Sequence, residues 1–266
     1  MIIVFRGYGN HSNRLFQAIN IEAFCIENKV DYLNPSFKDM SKYYGIKNNF
    51  FDPAICFLMR IFKKIKLIKT LDFNNFDQNE LYSNTILKKR LIFAQGWCFR
   101  AHGLTKKYQD YLIGKYSLLP DLYIENDLYK YFITLDRNEY IIIGVHIRRG
   151  DYKYWENGKY YFTDDIYQMY MNSISSELKK RSNKKIKFIL FSNENININR
   201  TEDIIVSNNE WYIEQLIMSK CDYLIGPPST FTLWASYIGR VKYYQIKDNT
   251  GNIDINDFSY CLGLEK

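Results

Sequence analysis

The stretch Ile141-Ile142-Ile143-Gly144-Val145-His146-Ile147-Arg148-Arg149-Gly150-Asp151-Tyr152 decides the fold. Its first half is a β-branched run without polar alternation, which reads as a strand buried on both faces, the mark of a parallel sheet. Its second half gathers a His, two Arg, a Gly and an Asp. Open parallel sheets bind ligands beyond the carboxyl ends of their strands, so these residues stand where a ligand belongs. Side chains alternate along a strand; His146 and Arg148 therefore share one face and Arg149 points away, provided the strand extends that far. Arginine captures phosphate through two parallel hydrogen bonds, and Gly150 permits a sharp turn or a close ligand approach. The competing reading is a surface strand end capped by an Asp151–arginine salt bridge.

Downstream the pattern alternates. A helix is predicted from about 163 to 180, a strand over 187–191 that runs into Ser192-Asn193-Glu194, and a helix over 214–220. A strand over 223–225, the loop Gly226-Pro227-Pro228-Ser229, a helix over 232–238 and a strand over 241–246 follow. This order predicts a parallel sheet with helices on both faces. Arg148, Ser192-Asn193-Glu194 and Ser229-Thr230 then gather at one rim. Ser229 and Thr230 precede a helix, which makes them either an anion site or an N-cap, and the two roles coexist.

Upstream, residues 2–6 read as a buried strand entering the turn Gly7-Tyr8-Gly9, with a helix from Ser12 or Asn13. The third glycine of a dinucleotide fingerprint is missing, and no G-K-[ST] follows. A strand over 91–97 carries Gln95 and Trp97, either sugar contacts or parts of an ordinary hydrophobic strand. The polar stretch 135–139 suggests a boundary near Asp136, giving domains 1–136 and 137–266.

The chain has 266 residues, 47% apolar and 24% charged, with a net charge of +7. That excess suits an anionic ligand, an anionic membrane surface or nucleic acid. The cysteines, Cys25, Cys56, Cys98, Cys221 and Cys261, form no C-x-x-C pair, so neither a zinc site nor a disulfide framework is indicated. His11, His102 and His146 are scattered, and no D-x-D follows a strand, so no metal is implied. Residues 1–5 are too short for a signal peptide, and no stretch is long enough to span a bilayer. A cytoplasmic protein is expected. Over 57–69, apolar residues at helical spacing are interleaved with Arg60, Lys63, Lys64 and Lys66. Two readings stand: a helix peripheral to the inner, anionic face of a membrane, or a core-packed helix with a solvated basic back.

His-Ile-Arg-Arg-Gly-Asp-Tyr at 146–152 resembles the H-x-R-R-x-D signature of α1,2- and α1,6-fucosyltransferases, the bacterial α1,2 family above all. The opening Gly7-Tyr8-Gly9-Asn10-His11-Ser12-Asn13-Arg14-Leu15-Phe16-Gln17 resembles that family's G-x-G-N-x-x-x-Q block, with two extra residues. Met218-Ser219-Lys220-Cys221 through Ile225 and Ser229-Thr230-Phe231-Thr232-Leu233-Trp234 resembles its M-S-x-C…S-S-F-S-W-W block, with Pro227-Pro228 departing from the family turn.

The resemblance implies a GT-B-type α/β fold of two Rossmann-like halves with parallel sheets and an interdomain cleft. The acceptor lies on the N-terminal half and the donor on the C-terminal half. It implies inverting transfer of L-fucose from GDP-β-L-fucose to a glycan hydroxyl, α1,2 to a galactoside of a surface glycan, without cofactor or metal. The donor residues implied are His146, Arg148, Arg149, Ser192, Asn193, Glu194, Glu214, Ser229 and Thr230. Gly7, Gly9, Asn10 and Asn13 line the cleft. Arg148 neutralises the leaving diphosphate. Glu156 and Asp151 are the candidate bases; Glu156 stands where α1,6 relatives carry a functional Glu, and Asp151 alternatively holds Arg149 in place. Asn193 and Glu194 replace the Asp pair of relatives, and Glu214 replaces the commoner Asp. The rivals are another nucleotide sugar as donor, or a non-catalytic glycan- or nucleic-acid-binding protein. Nucleic acid is disfavoured, because an RNA reader places aromatics among Lys and Arg on a sheet face, not an Arg pair at a strand end.

Overall fold

The computed structural model describes residues 1–46, 53–66, 70–72, 74, 91–96, 98–199 and 201–261. Trp97 lies outside these, as do residues 67–69 of the basic stretch. The chain divides into two compact units, Met1–Leu119 and Pro120–Cys261, each an α/β layer structure.

The first unit contains β1 (Ile2–Val4), α1 (His11–Glu27), β2 (Tyr32–Leu33), α2 (Ser41–Tyr44), α3 (Pro53–Lys64), β3 (Thr70–Asp72), β4 (Ile92–Gln95), α4 (His102–Lys107) and α5 (Gln109–Lys115). Its sheet runs β2-β1-β4-β3, parallel throughout. All of β1 is buried, as expected of a central parallel strand. Gly9 has φ +67°, and a Cβ there would collide with the Asn13 side chain, so the turn between β1 and α1 requires glycine. Gln17 closes the same turn from inside α1. Its Nε2 donates to the carbonyls of Arg6 (3.1 Å) and Gly96 (2.6 Å), joining the ends of β1 and β4. Gln95 is buried and donates to Asp72; its amide is turned into the unit.

The second unit contains α6 (Asp127–Thr134), β5 (Tyr140–Ile147), α7 (Asp164–Lys179), β6 (Lys185–Ser192), β7 (Ile204–Val206), α8 (Trp211–Met218), β8 (Tyr223–Gly226), α9 (Thr230–Gly239), β9 (Lys242–Gln245) and β10 (Ser259–Tyr260). The strand order is β10-β9-β8-β5-β6-β7. All pairs are parallel except β10–β9. The period-2 alternation of β5 divides two cores. Ile143, Val145 and Ile147 pack with Tyr167, Tyr170, Met171 and Ile174 of α7. Ile142 packs on the other face with Ile213, Ile217 and Met218 of α8 and Ala235 of α9. Alternation puts Gly144 on that second face, where a Cβ would come within 2.7 Å of Leu224 Cδ2.

The boundary falls at Leu119/Pro120, earlier than the polar stretch 135–139 suggested. The reason is α6: Phe132 is buried in the core with Ile213 and Ile217, and Asn126 donates to Asn209 at 2.7 Å. Residues 136–139 are a tight turn inside the second unit, in which the Asp136 carboxylate accepts from the Asn138 N–H at 2.8 Å.

Candidate active site

In the second unit the chain leaves β5 toward β6 and β7 on one side, then returns to place β8 and β9 on the other. The topological switch point therefore lies between β5 and β8, where open α/β sheets bind ligands beyond the strand ends. Arg148 follows β5 and Ser229 follows β8, so the two stand on opposite sides of that point. The strand ends approach closely here: a Cβ on Gly226 would lie 2.7 Å from the His146 carbonyl oxygen.

His146 occupies the inner wall. It is buried, its Nδ1 is hydrogen-bonded to Thr232 Oγ1 at 2.6 Å, and its ring lies 5.2 Å from that of Phe231. Burial first, and the Arg148 charge second, push its pKa down to about 3, so the imidazole is neutral. It ties β5 to the first turn of α9.

The strand ends at Ile147, so alternation does not govern the arginines; the turn Gly150–Lys153 does. Gly150, at φ +64°, reverses the chain. Arg148 Nη2 then donates to Asp151 Oδ1 at 2.6 Å, and the guanidinium lies 5.2 Å from the Tyr152 ring centroid. Asp151 therefore holds Arg148 and not Arg149, contrary to the expectation from sequence. Arg149 donates instead to Asp164 at the start of α7, in an ion pair whose side chains are only 13% and 20% exposed. Its Nε is buried without a partner among the described residues. Its backbone N–H donates to Asn193 Oδ1 at 3.0 Å.

Tyr152 joins the two sides of the switch point. Its hydroxyl donates to the Pro228 carbonyl at 2.5 Å while its ring supports Arg148. Ser229 caps α9, accepting from the Phe231 N–H at 3.2 Å, and Thr230 opens the helix. Arg148, Tyr152 and the Pro228–Thr230 turn thus form one basic corner against a helix N-terminus, an arrangement suited to an anionic group.

Ser192 sits beside Ile147 in the β5–β6 register, and its hydroxyl accepts from the Glu194 N–H at 3.2 Å. Asn193 and Glu194 are exposed and flank Gly150. Glu214 belongs to a separate group. It lies in the first turn of α8, which begins at Trp211 rather than at Glu214. It is hydrogen-bonded to the Ser207 side chain and to the Asn209 backbone; burial outweighs these and pushes its pKa up to about 7. A neighbouring cavity of about 490 Å³ is lined by Asn126, Asn208, Asn209, Glu210 and Tyr212.

Glu156 is exposed and has φ 49°, and Asn157 follows with φ 56°. Consecutive left-handed non-glycine residues are strained. Trp155, 41% exposed, is held between the rings of Tyr152 (4.8 Å) and Tyr160 (5.2 Å). Gly7, Gly9 and Asn10 lie in the β1–α1 turn of the first unit, and Asn13 in the first turn of α1. No group of three His, Cys, Asp or Glu suited to a metal occurs among the described residues. Asp164 and Thr232 are the partners that sequence reading missed. Neither has a spacing signal, because each meets its arginine or histidine only through tertiary contact.

Residues 52–252 match the family model of glycosyl transferase family 11. No curated protein matches the sequence. Among solved structures, a mutant of Arabidopsis thaliana FUT1 in complex with GDP is similar over 97% of this chain and 73% of that chain, at 12% identity and a TM-score of 0.62. NodZ α-1,6-fucosyltransferase soaked with GDP-fucose is similar over 97% of both chains, at 12% identity and a TM-score of 0.58. Fucosyltransferase NodZ from Bradyrhizobium is similar over 97% of this chain and 96% of that chain, at 13% identity and a TM-score of 0.60. These likenesses establish a shared GT-B-type α/β fold, and the match over most of the sequence places it: the chain belongs to glycosyl transferase family 11.

Proposed function

We propose that the protein transfers L-fucose from GDP-β-L-fucose to a galactoside hydroxyl with inversion, forming an α1,2 linkage in a surface glycan. The observation that carries this reading is the corner of Arg148, Tyr152 and the Pro228–Thr230 turn at the β5/β8 switch point. The donor specificity rests on family membership and on neighbours that hold GDP or were soaked with GDP-fucose.

In this reading the acceptor oxygen attacks the anomeric carbon and the bond to the diphosphate oxygen breaks. GDP leaves with the bonding electrons. Arg148 meets the charge developing on the diphosphate, and the first-turn N–H groups of α9 meet it from the other side. Both are positioned beforehand, by Asp151, by Tyr152 and by the Ser229 cap. Glu156 takes the acceptor proton, beside the aromatic surface of Trp155, which suits the apolar face of a sugar ring. Asn193, Glu194 and Glu214 contact the nucleotide and sugar of the donor, and Gly7, Gly9, Asn10 and Asn13 serve the acceptor side. Because Arg148 supplies the positive charge, transfer proceeds without a divalent metal.

The test is incubation with GDP-fucose and a panel of galactosides, measuring released GDP and product linkage. Acceptor-dependent GDP release with an α1,2 product supports the proposal. Turnover of a different nucleotide sugar, with none of GDP-fucose, overturns it.

A further inference from the structure

Helix α3 turns its apolar stripe outward. At 3.6 residues per turn, Phe57, Ile61 and Ile65 fall in one line along the helix and the turn that ends it, with Leu58 beside them. These four are 62%, 38%, 57% and 45% exposed, respectively. The opposite side is the one that packs. Cys56 is buried, Met59 is half-buried, and Lys63 reaches Asp72 at 3.9 Å. Arg60 and Lys64 border the apolar stripe on one side, Lys66 lies in the turn that ends the helix, and all three are exposed. No acidic residue occurs between 53 and 66. A core-packed amphipathic helix buries its apolar stripe and exposes its charges; here both the stripe and its basic borders face out.

We propose that α3 is an in-plane anchor that lays this face on an anionic lipid surface. Phe57, Leu58, Ile61 and Ile65 enter the boundary between headgroups and acyl chains, and Arg60, Lys64 and Lys66 meet lipid phosphates, as interfacial helices do. Charge selects this occupant. A second copy docked on the same face would press cationic borders against cationic borders, with no acid in either helix to offset them. A nucleic acid would meet the cations but has no use for three exposed aliphatic side chains. At twelve residues α3 is too short to span a bilayer, so the proposed attachment lies in the plane of the surface.

The test uses the full chain and sedimentation with vesicles of phosphatidylcholine, with and without phosphatidylglycerol. Binding is expected only with the anionic lipid, and it weakens as salt is raised. Lys64→Gln with Lys66→Gln should weaken binding about thirtyfold, from about 1 kcal/mol per cation near an anionic surface. Phe57→Ser with Ile61→Ser should abolish it. These positions are exposed, and circular dichroism checks that the fold is kept. A Phe57→Trp variant gives a second readout, a blue-shifted emission with anionic vesicles. No binding, equal binding to neutral vesicles, or binding unchanged in both double variants overturns the proposal. So does a dimer in sedimentation velocity that Phe57→Ser with Ile61→Ser dissolves, because the stripe would then belong to a second copy.

Discussion

Arg148 and Asp151 are joined through Nη2 and Oδ1 at 2.6 Å across the Gly150 turn, and the Asp151 side chain stays 67% exposed while the arginine is 24% exposed. An exposed carboxylate holds a shielded guanidinium without neutralising it strongly, since such pairs are weak in water. Arg148 is therefore aimed rather than consumed. Arg148→Lys keeps the charge and loses the planar fork. Turnover should fall by roughly two to three decades, the size associated with one preorganised donor, and GDP affinity should fall less. Asp151→Asn should be much milder, because Tyr152 still supports the guanidinium. Steady-state kinetics with GDP-fucose and GDP calorimetry check both; a larger defect in Asp151→Asn would reverse the assignment.

Arg149 has a different task. Its ion pair with Asp164 is mostly buried and ties the turn after β5 to the start of α7. Asp164 Oδ2 also accepts from the Asn197 N–H at 2.8 Å, so one carboxylate secures two loops. Asp164→Asn leaves a buried cation without its counter-charge, which should cost about 3 kcal/mol of stability. Denaturant titration should show the loss, with a shift of midpoint and little change of slope. Arg149→Lys should be destabilising too, and its catalytic defect should be smaller than that of Arg148→Lys.

His146 and Glu214 give opposite pH signatures. His146 titrates near 6.5 when unfolded and near 3 when folded, so between these values the unfolded chain binds the extra proton and stability falls on acidification. Glu214 titrates near 4.5 unfolded and near 7 folded, so between these values the folded chain binds the extra proton and stability falls as pH rises. Between pH 4.5 and 6.5 the two slopes oppose each other. Glu214→Gln should unmask the histidine, and stability should then drop by up to ~1.4 kcal/mol per pH unit toward acid. His146→Asn should show the reverse slope. Thermal or denaturant melts at several pH values read both.

The metal expectation is tested directly. In the proposed reaction Arg148 and the α9 N-terminus meet the leaving group, so EDTA should leave turnover of GDP-fucose unchanged. Activity lost in EDTA and restored by Mg²⁺ or Mn²⁺ would remove the arginine from that role.

Strands β5, β6, β8 and β9 were legible in the sequence, β5 most clearly, because a buried parallel strand must be continuously apolar; β7 and β10 were not. The rim was legible because strand ends in such a sheet share an edge. Asp164 and Thr232 were not, since their contacts depend on the left-handed turn at Gly150 and on the β5–β8 register, neither of which has a local signal. β7 is three residues among asparagines and shows no period. The boundary was misplaced because a polar turn between α6 and β5 looks, in sequence, like a linker. For α3 the apolar stripe was readable, but periodicity states that a stripe exists and not which way it faces.

Glu156 is held in a conformation that L-residues avoid, directly after an exposed Trp155 stacked between Tyr152 and Tyr160. Strain of about 1–3 kcal/mol per residue persists only where the surroundings impose it, and it concentrates at functional sites. Through Tyr152, the same stack is in contact with Arg148. A base at this position would work next to the donor corner while staying open to an acceptor. Glu156→Gln removes the base and keeps the shape, so acceptor-dependent turnover should fall by roughly two decades or more. GDP binding should be unchanged. Glu156→Gly relieves the left-handed strain and should raise stability slightly while abolishing the same step, which separates strain from chemistry. Turnover near that of the unmodified protein in Glu156→Gln would move the base to Asp151, and Asp151→Asn would then show the larger loss.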